Sequence, residues 1–204
     1  MEQALLRHLK DNILLYGIVS TAFLGGILSG ALMVLVVGEG QQVRLAAYLD
    51  NLLHQLVTAG PQPGAVAVQA AVKALKEIGV LWFLGLTVLG GPLIILLLFV
   101  KGFILGFTVA FLVQEKALQG VALSLFSILP ANLLRVPALF LGGALALSFS
   151  LSLMKGSTGF KGGSLGQLVR YSVGMAGLLL VVVGSGWIEA YLVPPLLKVA
   201  VNYF

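Results

Sequence analysis

From Gly79 to Val113 the chain contains a single charged residue, Lys101, among side chains that are almost all apolar. Such a run fits the hydrocarbon core of a bilayer, which is about 30 Å thick and is crossed by about 20 helical residues. The composition agrees, because 59% of the 204 residues are hydrophobic and 9% are charged, against roughly 25% charged in soluble domains. The sequence therefore predicts an integral membrane protein and excludes a soluble enzyme, a nucleic-acid reader and a disordered chain.

Five segments are long and apolar enough to cross the bilayer. They are Ile13–Val37, Gly79–Val100, Gly102–Leu129, Ala131–Met154 and Tyr171–Ile188. Glycine and proline interrupt the middle of the chain at 90–92 and at 130, where they weaken the helical hydrogen-bond ladder. The predicted fold is all-α: one membrane domain over residues 1–204, forming a polytopic transmembrane helical bundle of about five spans, with broken or short helices in the middle.

The positive charges predict the orientation of the bundle. Arg7 and Lys10 precede the first span, and residues 155–170 carry three cations and no acid. Because Lys and Arg are enriched in cytoplasmic loops, we expect both segments in the cytoplasm and the C-terminus outside the cell. Three crossings between them, with Lys101 in a tight cytoplasmic hairpin, satisfy this orientation. One crossing with a re-entrant middle segment satisfies it as well.

The two longer connections differ in character. Residues 38–78 predict an extracytoplasmic helical hairpin, with an amphipathic helix over Val43–Val57, a break at 60–64 and a second helix over Ala65–Glu77. This hairpin either lies on the membrane surface or also docks an extracytoplasmic partner. Residues 155–170 are rich in glycine and serine and predict a flexible cytoplasmic loop.

Residue types that support catalysis are scarce. The chain has no cysteine, and its histidines, His8 and His54, lie on opposite sides of the membrane in this topology and form no metal-binding pattern. The string Gly-Gly-Ser-Leu-Gly at 162–166 matches the nucleophile-elbow pattern, but it lies in the glycine-rich loop, without the strand and the histidine base that this chemistry needs. We therefore expect no enzyme, no metal site and no cofactor.

Charged residues within the predicted spans are more informative, because they are costly in hydrocarbon unless they are paired. We expect Lys101 to extend to the cytoplasmic interface. Glu115 and Lys116 are adjacent and do not face each other, so they indicate either a protein-lined cavity or a break in the third span. Arg135 and Glu189 share a depth near the outer ends of the last two spans, where they either form an ion pair or are exposed separately.

Small residues and one proline predict how the spans meet. The patterns Ala22-xxx-Gly26-xxx-Gly30 and Gly102-xxx-Gly106 give two spans flat faces that permit close helix contact. This spacing favours packing within the chain and leaves a homodimer open. Pro130 is suited to starting a helix, and Asn132 can bond to backbone groups exposed there. This segment predicts a tight extracytoplasmic turn, which is either purely structural or, with Glu189, part of a partner-docking surface.

The middle of the chain also resembles a known family. The residues that carry the resemblance are Ile78–Leu86, Gly91-Pro92, Val100–Gly102, Gly106–Val113, Ser127–Leu134 and Ile188–Tyr191. Their order and spacing are similar to those of stage II sporulation protein M, and the likeness extends over nearly the whole chain in length and span order.

The resemblance implies a non-enzymatic multi-pass protein of the cell membrane in an endospore-forming bacterium, placed in the septal or engulfing mother-cell membrane. It implies a scaffold that recruits and anchors peptidoglycan-degrading enzymes during engulfment of the forespore. The implied partners are stage II sporulation proteins D and P, besides membrane lipid, and no nucleic acid is expected. The alternative is a subunit of a transporter or permease, since broken helices with Lys101, Glu115 and Arg135 nearby resemble the midplane sites of transporters.

Overall fold

The computed structural model describes the backbone of residues 13–58, 63–154 and 164–203. These residues form six α-helices and no strand, so the predicted all-α class is confirmed. The helices are α1 (Ile13–Val36), α2 (Glu39–Thr58), α3 (Pro63–Gly85), α4 (Gly90–Leu123), α5 (Leu129–Met154) and α6 (Ser164–Tyr203), with a π-helical turn at Ser124–Ile128. Four helical segments are long and apolar enough to cross a membrane, namely Ile13–Val36, Gly90–Ala122, Asn132–Met154 and Leu165–Tyr191.

Helices α1 and α4 run in the same direction. Gly26 of α1 faces the backbone of Phe99 and Phe103 in α4, and Gly30 faces Phe103 and Phe107. Because the contacts advance together along both helices, the chain must return between them, and α3 makes this return.

Helix α3 lies antiparallel to α6. Gly85 meets the ring of Tyr171 at one end, and Ala70 meets Gly186 at the other. With 23 residues, α3 is about 35 Å long, which matches the hydrocarbon thickness of about 30 Å. It is less apolar than the four segments above because it carries Lys73, Lys76 and Glu77.

The interruption predicted at 90–92 is present directly before these residues, whereas the one predicted at Lys101 is absent. Helix α3 ends at Gly85 and α4 begins at Gly90, so residues 86–89 interrupt the predicted segment Gly79–Val100. The predicted hairpin at Lys101 is wrong, since this residue lies within continuous helix α4. The helix continues there because Gly102 packs against α1 and Lys101 finds a carboxylate on α3.

The chain reverses direction at Ala117 rather than at Pro130. Ala117 has φ 47° and ψ −122°, and beyond it Gly120 folds back against Leu112 and Val113. The predicted tight turn at Pro130 is therefore wrong. Pro130 instead lies in the first turn of α5, directly after the π-helical turn Ser124–Ile128.

The small-residue faces of α1 and α4 pack against each other. A methyl group on Gly26 would lie 2.9 Å from the amide nitrogen of Phe103, and one on Gly106 would lie 2.8 Å from the α-carbon of Ile27. Gly30 and Gly102 make equally close backbone contacts. We call Gly26, Gly30, Gly102 and Gly106 the glycine contact. The predicted use of these motifs within the chain is confirmed.

The core and the outer surface of the bundle have the composition of a membrane protein. Buried apolar residues from five helices form one cluster, which includes Val19, Leu81, Leu98, Leu139 and Met175. Leu24, Leu28 and Leu32 of α1 are each more than half exposed. A row of exposed leucines on one helix suits a lipid-facing surface.

The predicted connections are partly helical. The amphipathic helix expected over Val43–Val57 is present as α2, and the second helix of the hairpin extends through α3 into the bundle. Of the predicted loop at 155–170, residues 164–170 belong to α6. Residues 155–163, like Arg7, His8 and Lys10, lie outside the described residues. The cytoplasmic N-terminus and the extracytoplasmic C-terminus stay predictions.

Candidate functional site

Four charged side chains from four helices meet in the interior. Lys101 Nζ lies 2.5 Å from Glu77 Oε1, and Arg135 Nε lies 3.6 Å from Glu77 Oε2. Arg135 Nη1 in turn lies 3.7 Å from Glu189 Oε2. We call Glu77, Lys101, Arg135 and Glu189 the charge cluster. Of the two alternatives for Arg135 and Glu189, the structure contains the ion pair.

The two central members of the cluster are almost fully buried. Glu77 is 8% exposed and Arg135 is 7% exposed. A buried charge costs several kcal/mol unless it is paired and hydrogen-bonded. The pairing with Lys101 and Glu189, whose side chains are each 30% exposed, offsets part of that cost. The cluster therefore runs from a buried centre to a partly open rim.

The helical period places Glu77 in the core. The buried face of α3 contains Ala67, Ala70, Ala74, Ile78 and Leu81, at the spacing of three and four residues that one helix face requires. Glu77 falls on the same face, three residues after Ala74. It is not among the predicted site residues, although this period in the sequence was the signal that could have identified it.

Lys101 lies deep in the bundle. Gly26, near the middle of α1, faces Phe99 and Phe103 on either side of it, so Lys101 is level with the centre of a helix long enough to span the bilayer. The expectation that Lys101 extends to the cytoplasmic interface is wrong. Its ammonium group has a carboxylate partner within the bundle, which removes the need to reach water.

A cavity of ≈ 330 Å³ adjoins the charge cluster. Its polar lining comprises the four cluster residues together with Lys73, Thr108 and Asn132. Three buried atoms at its wall have no hydrogen-bond partner among the described residues: Glu77 Oε2, Arg135 Nε and Arg135 Nη2. The cavity thus combines ion pairs with unused donors and an unused acceptor.

Asn132 also stabilises the start of α5. Its side-chain amide donates a hydrogen bond of 2.9 Å to the carbonyl of Ile128, the last residue of the π-helical turn. The predicted bonding of Asn132 to nearby backbone is therefore confirmed. The same side chain lines the cavity, so it links the helix junction to the charge cluster.

Glu115 and Lys116 lie beside the reversal at Ala117. Of the two alternatives for these residues, a protein-lined cavity or a break in the span, the structure contains the break, at the positive φ of Ala117. Lys116 Nζ forms an ion pair of 2.7 Å with Asp50 of α2, while Glu115 and Pro130 do not line the cavity. Of the predicted site residues, Lys101, Asn132, Arg135 and Glu189 therefore come together.

Polar groups also fix the connection between α3 and α4. The hydroxyl of Tyr171 contacts the carbonyls of Leu81 and Trp82 at 3.2 and 3.0 Å, and Ser150 donates to the carbonyl of Thr87 at 2.9 Å. The carbonyls of Trp82 and Thr87 also accept from the backbone amides of Leu86 and Gly90, so the side-chain bonds reinforce a turn that the backbone already closes. These bonds hold the end of α3 and thereby the position of Glu77.

The described part of the chain gives little support for a metal site. It holds no group of three or more His, Cys, Asp or Glu side chains that could bind a metal ion. The cavity lining has two carboxylates, Glu77 and Glu189, and three cations, Lys73, Lys101 and Arg135, which suits ion pairing and anion binding.

The family model of stage II sporulation protein M matches residues 19–194. The chain belongs to the stage II sporulation protein M family. The match includes the glycine contact and the whole charge cluster, and it confirms the resemblance carried by the middle of the sequence. The protein is thus a membrane protein of sporulation. Comparison with curated proteins and with solved structures gives no match.

Proposed function

We propose that this sporulation membrane protein is a non-enzymatic scaffold that recruits and anchors peptidoglycan-degrading enzymes during engulfment. The proposed partners are stage II sporulation proteins D and P. The observation that carries the proposal is the family match over residues 19–194, which covers nearly all the described helices. The proposed location is the septal membrane and then the engulfing mother-cell membrane.

The architecture supports a scaffold with one partner-facing end. Helix α2 exposes Val43 and Tyr48, and the ion pair between Asp50 and Lys116 holds it beside the reversal of α4. In the predicted orientation this end of the bundle faces the cell wall, where hydrolases act. Exposed tyrosine side chains are typical anchors of protein interfaces. We propose that α2 is the principal contact for the hydrolases.

Deletion of the gene in a spore former tests the role itself. Membrane-dye imaging is expected to show a block at engulfment, with fluorescent fusions of the partner hydrolases mislocalised. Re-expression of the wild-type chain restores both. Normal engulfment with correctly placed hydrolases would reject the scaffold role.

Substitutions in α2 test the contact surface. Tyr48→Ala and Val43→Glu are expected to reduce co-purification of the hydrolases while the protein accumulates in the membrane at normal levels. Gln41→Ala, at another exposed position of the same helix, is the matched control and keeps co-purification. Equal recovery of the hydrolases with all three variants would reject α2 as the docking helix.

A further inference from the structure

We propose that the cavity beside the charge cluster binds a small hydroxycarboxylate, with Arg135 as its main ligand. The proposal is independent of the scaffold role, because it concerns the interior of the bundle. Three observations support it: the unpartnered atoms, the charge balance of the lining, and the size and opening of the cavity.

Arg135 presents the edge of its guanidinium group that carboxylates prefer. Its Nε and Nη2 atoms are buried and have no hydrogen-bond partner among the described residues. These two atoms donate side by side, and a planar guanidinium edge of this kind binds both oxygens of one carboxylate. A buried donor without an acceptor is costly, more so when it is charged, so a bound carboxylate would satisfy both atoms at once.

Glu77 adds a requirement for a donor. Its Oε2 atom is also buried and accepts no hydrogen bond among the described residues, although it forms an ion pair of 3.6 Å with Arg135 Nε. A plain carboxylate placed on Arg135 would set oxygen against oxygen at this point. A ligand with a hydroxyl group next to its carboxylate can donate to Glu77 while its carboxylate accepts from Arg135.

The charge of the lining selects a singly charged anion. Lys73, Lys101 and Arg135 contribute three positive charges, and Glu77 and Glu189 contribute two negative charges. One positive charge is therefore left over. Lys73 is exposed and has no carboxylate within 4.0 Å among the described residues, so it supplies this charge. A monocarboxylate neutralises the site, whereas a metal cation would increase the imbalance.

The size and opening of the cavity fit a small ligand. Its volume of ≈ 330 Å³ is at the lower end of the range of about 300–1,000 Å³ for small-molecule sites. Lys73 of α3 and Ile104 and Thr108 of α4 line the cavity and are exposed, so it opens between these two helices. Ionisable groups inside a membrane bundle commonly mark a ligand site.

Calorimetric titration of the purified full-length protein in detergent micelles tests the proposal. Sodium lactate is the probe, sodium acetate lacks the hydroxyl group, and sodium chloride at equal ionic strength controls for screening. We expect saturable heat with lactate, weaker binding of acetate, and none with chloride. If lactate shows no saturable binding, or binds no more tightly than acetate, the proposal is overturned and the cavity holds only water.

Two variants locate the binding. Lys73→Gln leaves every ion pair of the cluster in place and is expected to weaken lactate binding roughly tenfold, the effect of losing one charged hydrogen-bonding group. Arg135→Lys keeps the charge but loses the two-point edge and is expected to abolish the preference for lactate over acetate. Lys116→Gln removes a cation outside the cavity and leaves binding unchanged. Lactate binding of wild-type strength in Lys73→Gln would contradict the assignment, even if Arg135→Lys fails to fold.

Discussion

The glycine contact and the charge cluster meet on neighbouring residues of α4 and use opposite means to join helices. Gly102 faces Phe23 and Ile27 of α1, whereas Lys101 is directed at Glu77 of α3. Successive residues of a helix point about 100° apart, so one turn of α4 serves both neighbours. The glycine contact brings backbone against backbone, and the charge cluster holds helices through long side chains.

The difference indicates which region builds the fold and which serves another purpose. Close packing of small residues stabilises membrane helices without desolvating a charge. A buried ion pair, in contrast, is often no more stable than apolar residues of similar volume. The cluster also leaves three buried atoms without a hydrogen bond, and two of them, Arg135 Nε and Glu77 Oε2, have only their ion pair at 3.6 Å. Stability alone therefore does not explain it. We infer that the glycine contact determines the architecture and that the charge cluster has a functional role.

Removal of the central carboxylate is expected to have the largest effect. Glu77→Leu leaves buried Arg135 and partly exposed Lys101 without their shared partner, which should lower the free energy of unfolding by about 3–5 kcal/mol. Thermal unfolding in detergent measures it. Asp50→Asn breaks the exposed pair with Lys116 and should cost at most about 1 kcal/mol. Equal losses in the two variants would show that burial of the cluster is unimportant.

Two adjacent glycines provide a sharp test of the glycine contact. In Gly26→Ala the new methyl group would overlap the carbonyl oxygen of Phe99, and the backbones must separate at a cost of about 1–3 kcal/mol. Gly25 has open space around its α-carbon, so Gly25→Ala should be neutral or stabilising by up to about 1 kcal/mol. The unfolding midpoints of both variants should differ in this direction. A tolerated Gly26→Ala would contradict the parallel packing of α1 on α4.

Asn132→Leu tests the junction that leads to the cluster. The variant keeps the size of the side chain and loses the bond to Ile128, worth about 1 kcal/mol. We expect it to insert normally but to lose partner recruitment or stability of the complex, as measured by co-purification. Ser152→Ala removes a comparable bond, to Phe149, away from the cavity and should recruit normally. Normal recruitment by Asn132→Leu with unchanged thermal stability would exclude both roles.

A substitution at the chain reversal, Ala117→Gly, should give the smallest change in the free energy of unfolding. Unlike Glu77→Leu, Gly26→Ala and Asn132→Leu, it should stabilise the protein. Glycine adopts positive φ without steric cost, so Ala117→Gly relieves backbone strain of about 1–3 kcal/mol at an entropy cost of about 0.5–1 kcal/mol. The variant should therefore be more stable by about 1 kcal/mol. Ala110→Gly, in the regular part of the same helix, should destabilise it by about 0.5–1 kcal/mol. A fall in the unfolding temperature for both variants would place the turn elsewhere.

Residue pattern predicted the class of fold and much of the packing. The apolar runs indicated helices, and the small-residue spacing at Gly26, Gly30, Gly102 and Gly106 indicated the contact that the structure contains. Shared depth and opposite charge made the pair of Arg135 with Glu189 one of two alternatives. These signals are local or repeat along one helix, so a single sequence carries them.

Local residue patterns do not predict where the chain turns or that Glu77 lies at the centre of the charge cluster. The chain turns at Ala117, a good helix former, while Pro130 looked like a turn and instead starts a helix. The sequence indicates an interfacial position for Lys101, because its partner Glu77 lies 24 residues away on another helix and is not apparent from the local pattern. The meeting of these side chains depends on how α3 packs against α4, which no local pattern records.

The claim that the charge cluster has a functional role is tested most directly by replacing its four residues with apolar ones and observing engulfment. The variant combines Glu77→Leu, Lys101→Met, Arg135→Met and Glu189→Leu, which replaces the cluster with side chains of similar size and leaves the glycine contact unchanged. We predict normal accumulation in the membrane, because the fold does not need the charges, together with a block of engulfment under membrane-dye imaging. Normal engulfment by this variant would contradict a functional role for the charge cluster.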